Sequence, residues 1–118
     1  MILICDDEHT LVHFCRELLE REGYTVQTAH NAEEALLHLR DPRCRGMLLD
    51  MQIPEFNGAS LLMLMLADGV KTPVIVFTDD PSFEEDELRE FSNVRRMLRK
   101  PFYAEDLLSA VRQHMPRA

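Results

Sequence analysis

Apolar and polar positions along the chain fall into two alternating patterns. Five short apolar runs, Ile2–Cys5, Tyr24–Thr28, Met47–Leu49, Pro73–Phe77 and Val94–Leu98, are bounded by polar residues and read as strands. The longer segments between them carry apolar residues at helical spacing. From Thr10 to Glu22 these are Leu11, Phe14, Cys15, Leu18 and Leu19, and Gly23 stands where a left-handed C-terminal cap belongs. Asn31-Ala32-Glu33-Glu34 supplies an N-cap side chain with a glutamate three residues on, ahead of Ala35, Leu36, Leu37 and Leu39. A loop containing Pro54 leads to Asn57-Gly58 and an apolar helix through Ala67. Ser82-Phe83-Glu84-Glu85 has the form of a capping box and predicts a short acidic helix to about Phe91. Tyr103–His114 closes the chain as a helix.

The pattern amounts to five strand–helix units, without repeats, low-complexity tracts or linkers. Near-continuous apolar strands, each followed by a helix, imply a parallel sheet covered on both faces. Right-handed crossovers make a doubly wound α/β sheet with five helices the natural arrangement. In such a sheet, reactive groups collect at the carboxyl ends of the strands.

With 118 residues the chain has room for one domain over 1–118, and 46% hydrophobic with 29% charged residues is the balance of a soluble globule. Thirteen basic against twenty-one acidic residues give a net charge of −8. That balance argues against direct nucleic-acid binding, which needs a basic stripe. The sequence has no cationic segment ahead of an apolar core near its start and no apolar stretch of ~20 residues, so no membrane association is expected. Cys5, Cys15 and Cys44 are odd in number and lack metal-type spacing. They read as thiols in a reducing compartment, and a cytoplasmic protein is expected.

Asp6 and Asp7 follow the first strand, Asp50 the third, Thr78 the fourth and Lys100 the fifth. A doubly wound sheet brings these positions into one pocket with three carboxylates, a hydroxyl and an ammonium. Three clustered carboxylates require a proton or a cation at neutral pH. An oxygen-only donor set suits Mg²⁺, which keeps waters and takes phosphate ligands. A carboxylate beside such charges is placed to attack phosphorus.

Asp6-Asp7-Glu8, Asp50-Met51-x-x-Pro54-x-x-Asn57-Gly58, Phe77-Thr78 and Lys100-Pro101-Phe102 together resemble the receiver domain of bacterial two-component response regulators. The resemblance covers Ile2 to about His114. It implies a flavodoxin-like strand order 2-1-3-4-5 and a phosphorylation-dependent switch. Asp50 would be the phosphoacceptor, supplied by a histidine kinase or phosphotransfer protein. Asp7 would ligate Mg²⁺ directly, Asp6 through a water, and Gln52 through its backbone carbonyl, with Asp50 in the same set. Thr78 and Lys100 would grip the phosphoryl group, and the Lys100–Pro101 bond would be cis. Such a domain catalyses its own phosphorylation and slow dephosphorylation, and is not an enzyme in the usual sense.

Three positions depart from the family pattern. Asp79 replaces a small residue after the threonine, Met97 replaces an aromatic residue three before the lysine, and Ser92-Asn93 replaces Gly-Ala before the fifth strand. Asp79 and Met97 keep an alternative open: a receiver-like interaction module that is not phosphorylated. An aspartyl phosphatase is disfavoured, since Gln52 stands where it needs a second acid. A nucleotide or flavin site is disfavoured as well, since no Gly-rich phosphate loop follows the first strand. His9 and His13 share a helix face but lack an evident third zinc ligand. In the helix after Gly58, Leu61, Leu62 and Met65 form an inward stripe, whereas Met63 and Leu64 face the other way. That outer side predicts either exposed apolar surface or a contact with a second copy or a downstream effector.

Overall fold

The computed structural model describes residues 1–53 and 57–116; Pro54, in the loop expected after the third strand, lies outside them. The described chain contains five strands: β1 (Ile2–Cys5), β2 (Val26–Thr28), β3 (Gly46–Asp50), β4 (Val74–Thr78) and β5 (Val94–Arg99). Four α-helices accompany them: α1 (His9–Arg21), α2 (Ala32–Leu39), α3 (Gly58–Ala67) and α4 (Ala104–His114). All strand pairings are parallel and the order is β2-β1-β3-β4-β5, the doubly wound topology expected.

Successive side chains of a strand point to opposite faces, and both faces are covered. Leu3, Cys5, Met47, Leu49, Val74 and Val76 pack with Ala35 and Leu39 of α2 and Leu61, Leu62 and Met65 of α3. Ile2, Ile4, Leu48, Ile75 and Phe77 pack with Cys15 and Leu19 of α1 and Leu107, Ala110 and Val111 of α4. The three central strands are therefore sealed from water, each large side chain contributing about 1.5–3 kcal/mol of burial.

Helix ends follow their local chemistry. Gly23 has φ of 90°, and the N–H groups of Gly23 and Tyr24 donate to the carbonyls of Glu20 and Leu19, closing α1 in a Schellman motif. Asn31 Oδ1 accepts the N–H of Glu34 at 2.9 Å, capping α2 as expected. Tyr24 and Thr25 fall outside β2. Tyr24 is buried and its hydroxyl donates to the Met115 carbonyl at 2.6 Å, tying the end of α1 to the end of α4.

The expected fifth helix is absent among the described residues: between β4 and β5 there is only a 3-10 turn, Glu85–Leu88. Ser82 does not cap it. Its N–H and hydroxyl both donate to Asp80 Oδ1, at 2.9 and 2.7 Å. Glu84 takes the cap position, its N–H donating to Glu87 Oε2 at 2.9 Å. With four consecutive acids and only Leu88 and Phe91 buried, the segment has apolar surface for a single turn.

Candidate functional site

The strand register brings the sequence-selected residues to one edge. Cys5 pairs with Leu49, Asp50 with Phe77, and Thr78 with Arg99. Asp6, one step past β1, and Lys100, one step past β5, thus flank Asp50 and Thr78 at the strand ends. Lys100 is fixed by its N–H, which donates to the Thr78 carbonyl at 2.8 Å, and its peptide bond to Pro101 is cis.

Asp6 and Asp50 use their two carboxylate oxygens alike. Oδ1 of Asp6 accepts the Glu8 N–H at 2.9 Å, and Oδ1 of Asp50 accepts the Gln52 N–H at 2.9 Å. Both Oδ2 atoms face the Lys100 ammonium, at 3.1 and 3.2 Å. Glu8 lies further out, 3.9 Å from the same nitrogen. The side chains of Asp6, Asp50 and Lys100 are 1%, 7% and 13% accessible, whereas Asp7 is exposed.

Ligand atoms of Asp6, Asp7 and Asp50 lie within 4.8 Å of one another, and among the described residues this is the one such group of three. His9 and His13 recruit no third ligand there; His13 Nε2 lies 3.7 Å from Glu17 on the helix surface. Burial pushes the Asp6 carboxyl above its ordinary range, with the charge of Asp50 adding to it; the Glu8 N–H and Lys100 pull the other way. Burial alone would lower the Lys100 ammonium, but Asp6 and Asp50 outweigh it and hold it above its ordinary value. The pocket is therefore an over-acidic cluster balanced by one buried cation.

Thr78 is fully buried, and its hydroxyl oxygen accepts from Gln52 Nε2 and the Asp80 N–H, both at 3.1 Å. The other end of the Gln52 amide, Oε1, accepts the Asp79 N–H at 3.3 Å. The sequence singled out only the backbone of Gln52; its side-chain contacts depend on the residues after β3 meeting the end of β4 in space, for which no sequence signal exists. Asp79 is exposed, and Met97 is half-buried against the core on the α2–α3 side of the sheet. Arg99 donates to the carbonyls of Asp80, at 3.1 Å, and Phe83, fastening the loop after β4 to β5.

Cys5 and Cys15 are buried, with burial pushing both thiols up to about 12; Cys44 is half-buried, and all three are free. No helix of the described residues is long and apolar enough to cross a membrane.

The model of the response regulator receiver domain family matches residues 2–112. The transcriptional regulatory protein CpxR of Escherichia coli K12 is 35% identical over 117 residues, covering 99% of this chain and 50% of CpxR. The chain spans about half the length of the curated relatives it matches, MprA of Mycobacterium ulcerans included. A CheY-like receiver domain protein from Methanospirillum hungatei JF-1 superposes with a TM-score of 0.83 at 26% identity, covering 97% of this chain and 91% of that one. The receiver domain of sensor histidine kinase PA1611 from Pseudomonas aeruginosa PAO1, whose structure has a magnesium ion coordinated in its active site cleft, shares the fold. Its TM-score is 0.81 at 21% identity, over 98% of this chain and 97% of that one. Fold, strand-end cluster and family match agree: the chain belongs to the response regulator receiver domain family.

Proposed function

We propose that residues 1–118 form one receiver domain that switches state when a phosphohistidine donor, on a histidine kinase or phosphotransfer protein, transfers its phosphoryl group to Asp50. The observation that carries this reading is the Asp50 carboxylate, buried at the carboxyl edge of the sheet, 3.2 Å from an ammonium and clustered with two further carboxylates. In the transfer a carboxylate oxygen of Asp50 forms a bond to phosphorus while the phosphorus–nitrogen bond of the donor breaks. The imidazole leaves and is protonated, and Asp50 becomes an acyl phosphate. Water later cleaves that acyl phosphate, so the domain resets itself without turning over like an enzyme.

The donor set fits Mg²⁺: all oxygen, carboxylate-rich, and short of positive charge with Lys100 alone. Asp6, Asp7, Asp50 and the backbone carbonyl of Gln52 would hold it. When bound, Mg²⁺ neutralises charge on the transferring phosphoryl group. Lys100 supplies a second positive charge at Asp50, and Thr78 a hydroxyl donor for a phosphoryl oxygen. The switched domain acts on a downstream effector or a second copy, within the cytoplasm.

The test is intact-mass detection of one phosphoryl adduct after incubation with a small phosphodonor and Mg²⁺. Wild type gains the adduct, Asp50→Asn does not, and excess chelator prevents it. An adduct on another residue would overturn the assignment of Asp50. Absence of any adduct in the wild type would favour an unphosphorylated interaction module.

A further inference from the structure

We propose that the Gln52 side chain is a latch on the switch: its amide holds the Thr78 hydroxyl and the Asp79 N–H in resting positions and must release the Asp79 N–H before that donor can grip a phosphoryl group on Asp50. The proposal rests on the phosphoacceptor reading of Asp50.

A hydroxyl oxygen has two acceptor lone pairs and one proton to give. Both acceptor sites of Thr78 Oγ1 are taken, by Gln52 Nε2 and by the Asp80 N–H, each at 3.1 Å. Gln52 Oε1 takes the Asp79 N–H at 3.3 Å, the first backbone donor beyond β4. One amide thus occupies the Asp79 N–H, a donor suited to an anionic oxygen, and fixes the position of the Thr78 hydroxyl, whose own proton stays available. Its carbonyl stands in for that oxygen as the acceptor of Asp79, and its NH₂ group anchors the hydroxyl.

Gln52 is also tied to the acceptor. Its N–H donates to Asp50 Oδ1 at 2.9 Å, so the latch joins the loop of Asp50 to the end of β4, 26 residues away. Phosphorylation converts one Asp50 oxygen to the uncharged bridging oxygen of an acyl phosphate and brings in anionic oxygens. Charge-assisted hydrogen bonds are roughly twice as strong as neutral ones, so the Asp79 N–H exchanges the amide oxygen for the phosphoryl group, while the Thr78 hydroxyl gives that group the proton that neither of its resting bonds uses. Gln52 is exposed and can swing into water, where its amide stays hydrogen-bonded. Gln52 is a positioning residue that biases the switch toward rest.

The experiment compares the 118-residue wild type with Gln52→Met, which keeps bulk and reach without the amide, and with Gln52→Ala. Each is phosphorylated with phosphoramidate at saturating Mg²⁺, and amide hydrogen exchange at Asp79 is followed before phosphorylation. Losing the neutral Asp79–Gln52 hydrogen bond from the resting state only should speed labelling of Asp50 by roughly three- to tenfold in both variants. Exchange at Asp79 should rise, and the rate difference should not respond to salt. Labelling at the wild-type rate or slower in either variant overturns the latch while leaving Asp50 as acceptor. No labelling in any of the three proteins overturns the acceptor reading and the latch with it.

Discussion

Lys100 Nζ lies 3.2 Å from Oδ2 of Asp50, and it reaches Asp6 Oδ2 equally closely, at 3.1 Å. A divalent cation in this pocket would balance the same carboxylates, so ammonium and metal oppose one another for binding while both favour chemistry on Asp50. Replacing Lys100→Met should therefore have opposite effects on the two. Mg²⁺ should bind several-fold more tightly, since removing a unit charge a few ångströms away is worth on the order of a kcal/mol or more at an effective dielectric of about 20. Phosphorylation should slow by roughly a hundredfold, the usual loss when one preorganised charge is removed from a transfer site. Calorimetric Mg²⁺ titration and labelling rates check the pair. Unchanged Mg²⁺ affinity would show that the ammonium does not compete with the metal.

Cys15 offers an independent check on the packing between α1 and the sheet. It is inaccessible in the core with Leu19, Leu107 and Val111, and burial pushes its thiol up to about 12. A raised thiol pKa means the folded state resists ionisation: stability is full below the unfolded value and falls as pH rises toward the folded one. Cys15 should resist iodoacetamide at pH 8 and react only with unfolding. Its protection should decline above about pH 9, where the unfolded thiol ionises first. Rapid alkylation of Cys15 in native protein at pH 8 would mean that α1 is not seated as described.

The strands were legible because parallel strands buried on both faces are continuous apolar runs, and each run from Ile2 to Leu98 overlaps an observed strand. Tyr24 was misread as part of β2. Its ring and hydroxyl serve the end of α1 instead, because a buried tyrosine needs a partner for its O–H and finds the Met115 carbonyl. The missing helix after β4 has a similar cause. Ser82-x-x-Glu85 has the letters of a capping box, but Asp80, two residues upstream, captures both donors of Ser82.

At the site, the rule that chemistry gathers at strand ends brought Asp6, Asp7, Asp50, Thr78 and Lys100 into view. The bridge from Gln52 to Thr78 and Asp79 was illegible, since it depends on how two loops meet in space.

On the outer side of α3, Met63 and Leu64 are 59% and 43% exposed, while Leu61, Leu62 and Met65 are fully buried. Replacing the exposed pair with Met63→Lys and Leu64→Glu should change unfolding free energy by no more than about 0.5 kcal/mol, as is usual for surface substitutions. The same change should lower any self-association at high concentration. Urea denaturation and sedimentation velocity test the two halves. A loss of stability of about 2 kcal/mol or more would mean that these side chains are structural. A dimer of undiminished strength would remove this face as the interface.

Asp79 gives the prediction most particular to this chain. It directly follows Thr78, with an exposed side chain and a backbone N–H held by Gln52. A phosphodonor reaching Asp50 is anionic, and a carboxylate at the rim of its approach repels it. Because Asp79 is exposed, the repulsion is screened by solvent and salt, with a Debye length of about 10 Å at 0.1 M. The expected effect is therefore modest. Asp79→Ala should be phosphorylated by a small anionic donor about two- to fivefold faster at low ionic strength, a barrier change of roughly 0.4–1 kcal/mol. The advantage should shrink toward unity at high salt. That salt response separates Asp79 from Gln52, whose contribution is a neutral hydrogen bond and should persist in salt. In Asp79→Ala the backbone N–H remains, so the bond to Gln52 Oε1 should survive, and exchange at position 79 should stay slow. Labelling of Asp79→Ala no faster than wild type at low salt would show that the carboxylate does not hinder the donor.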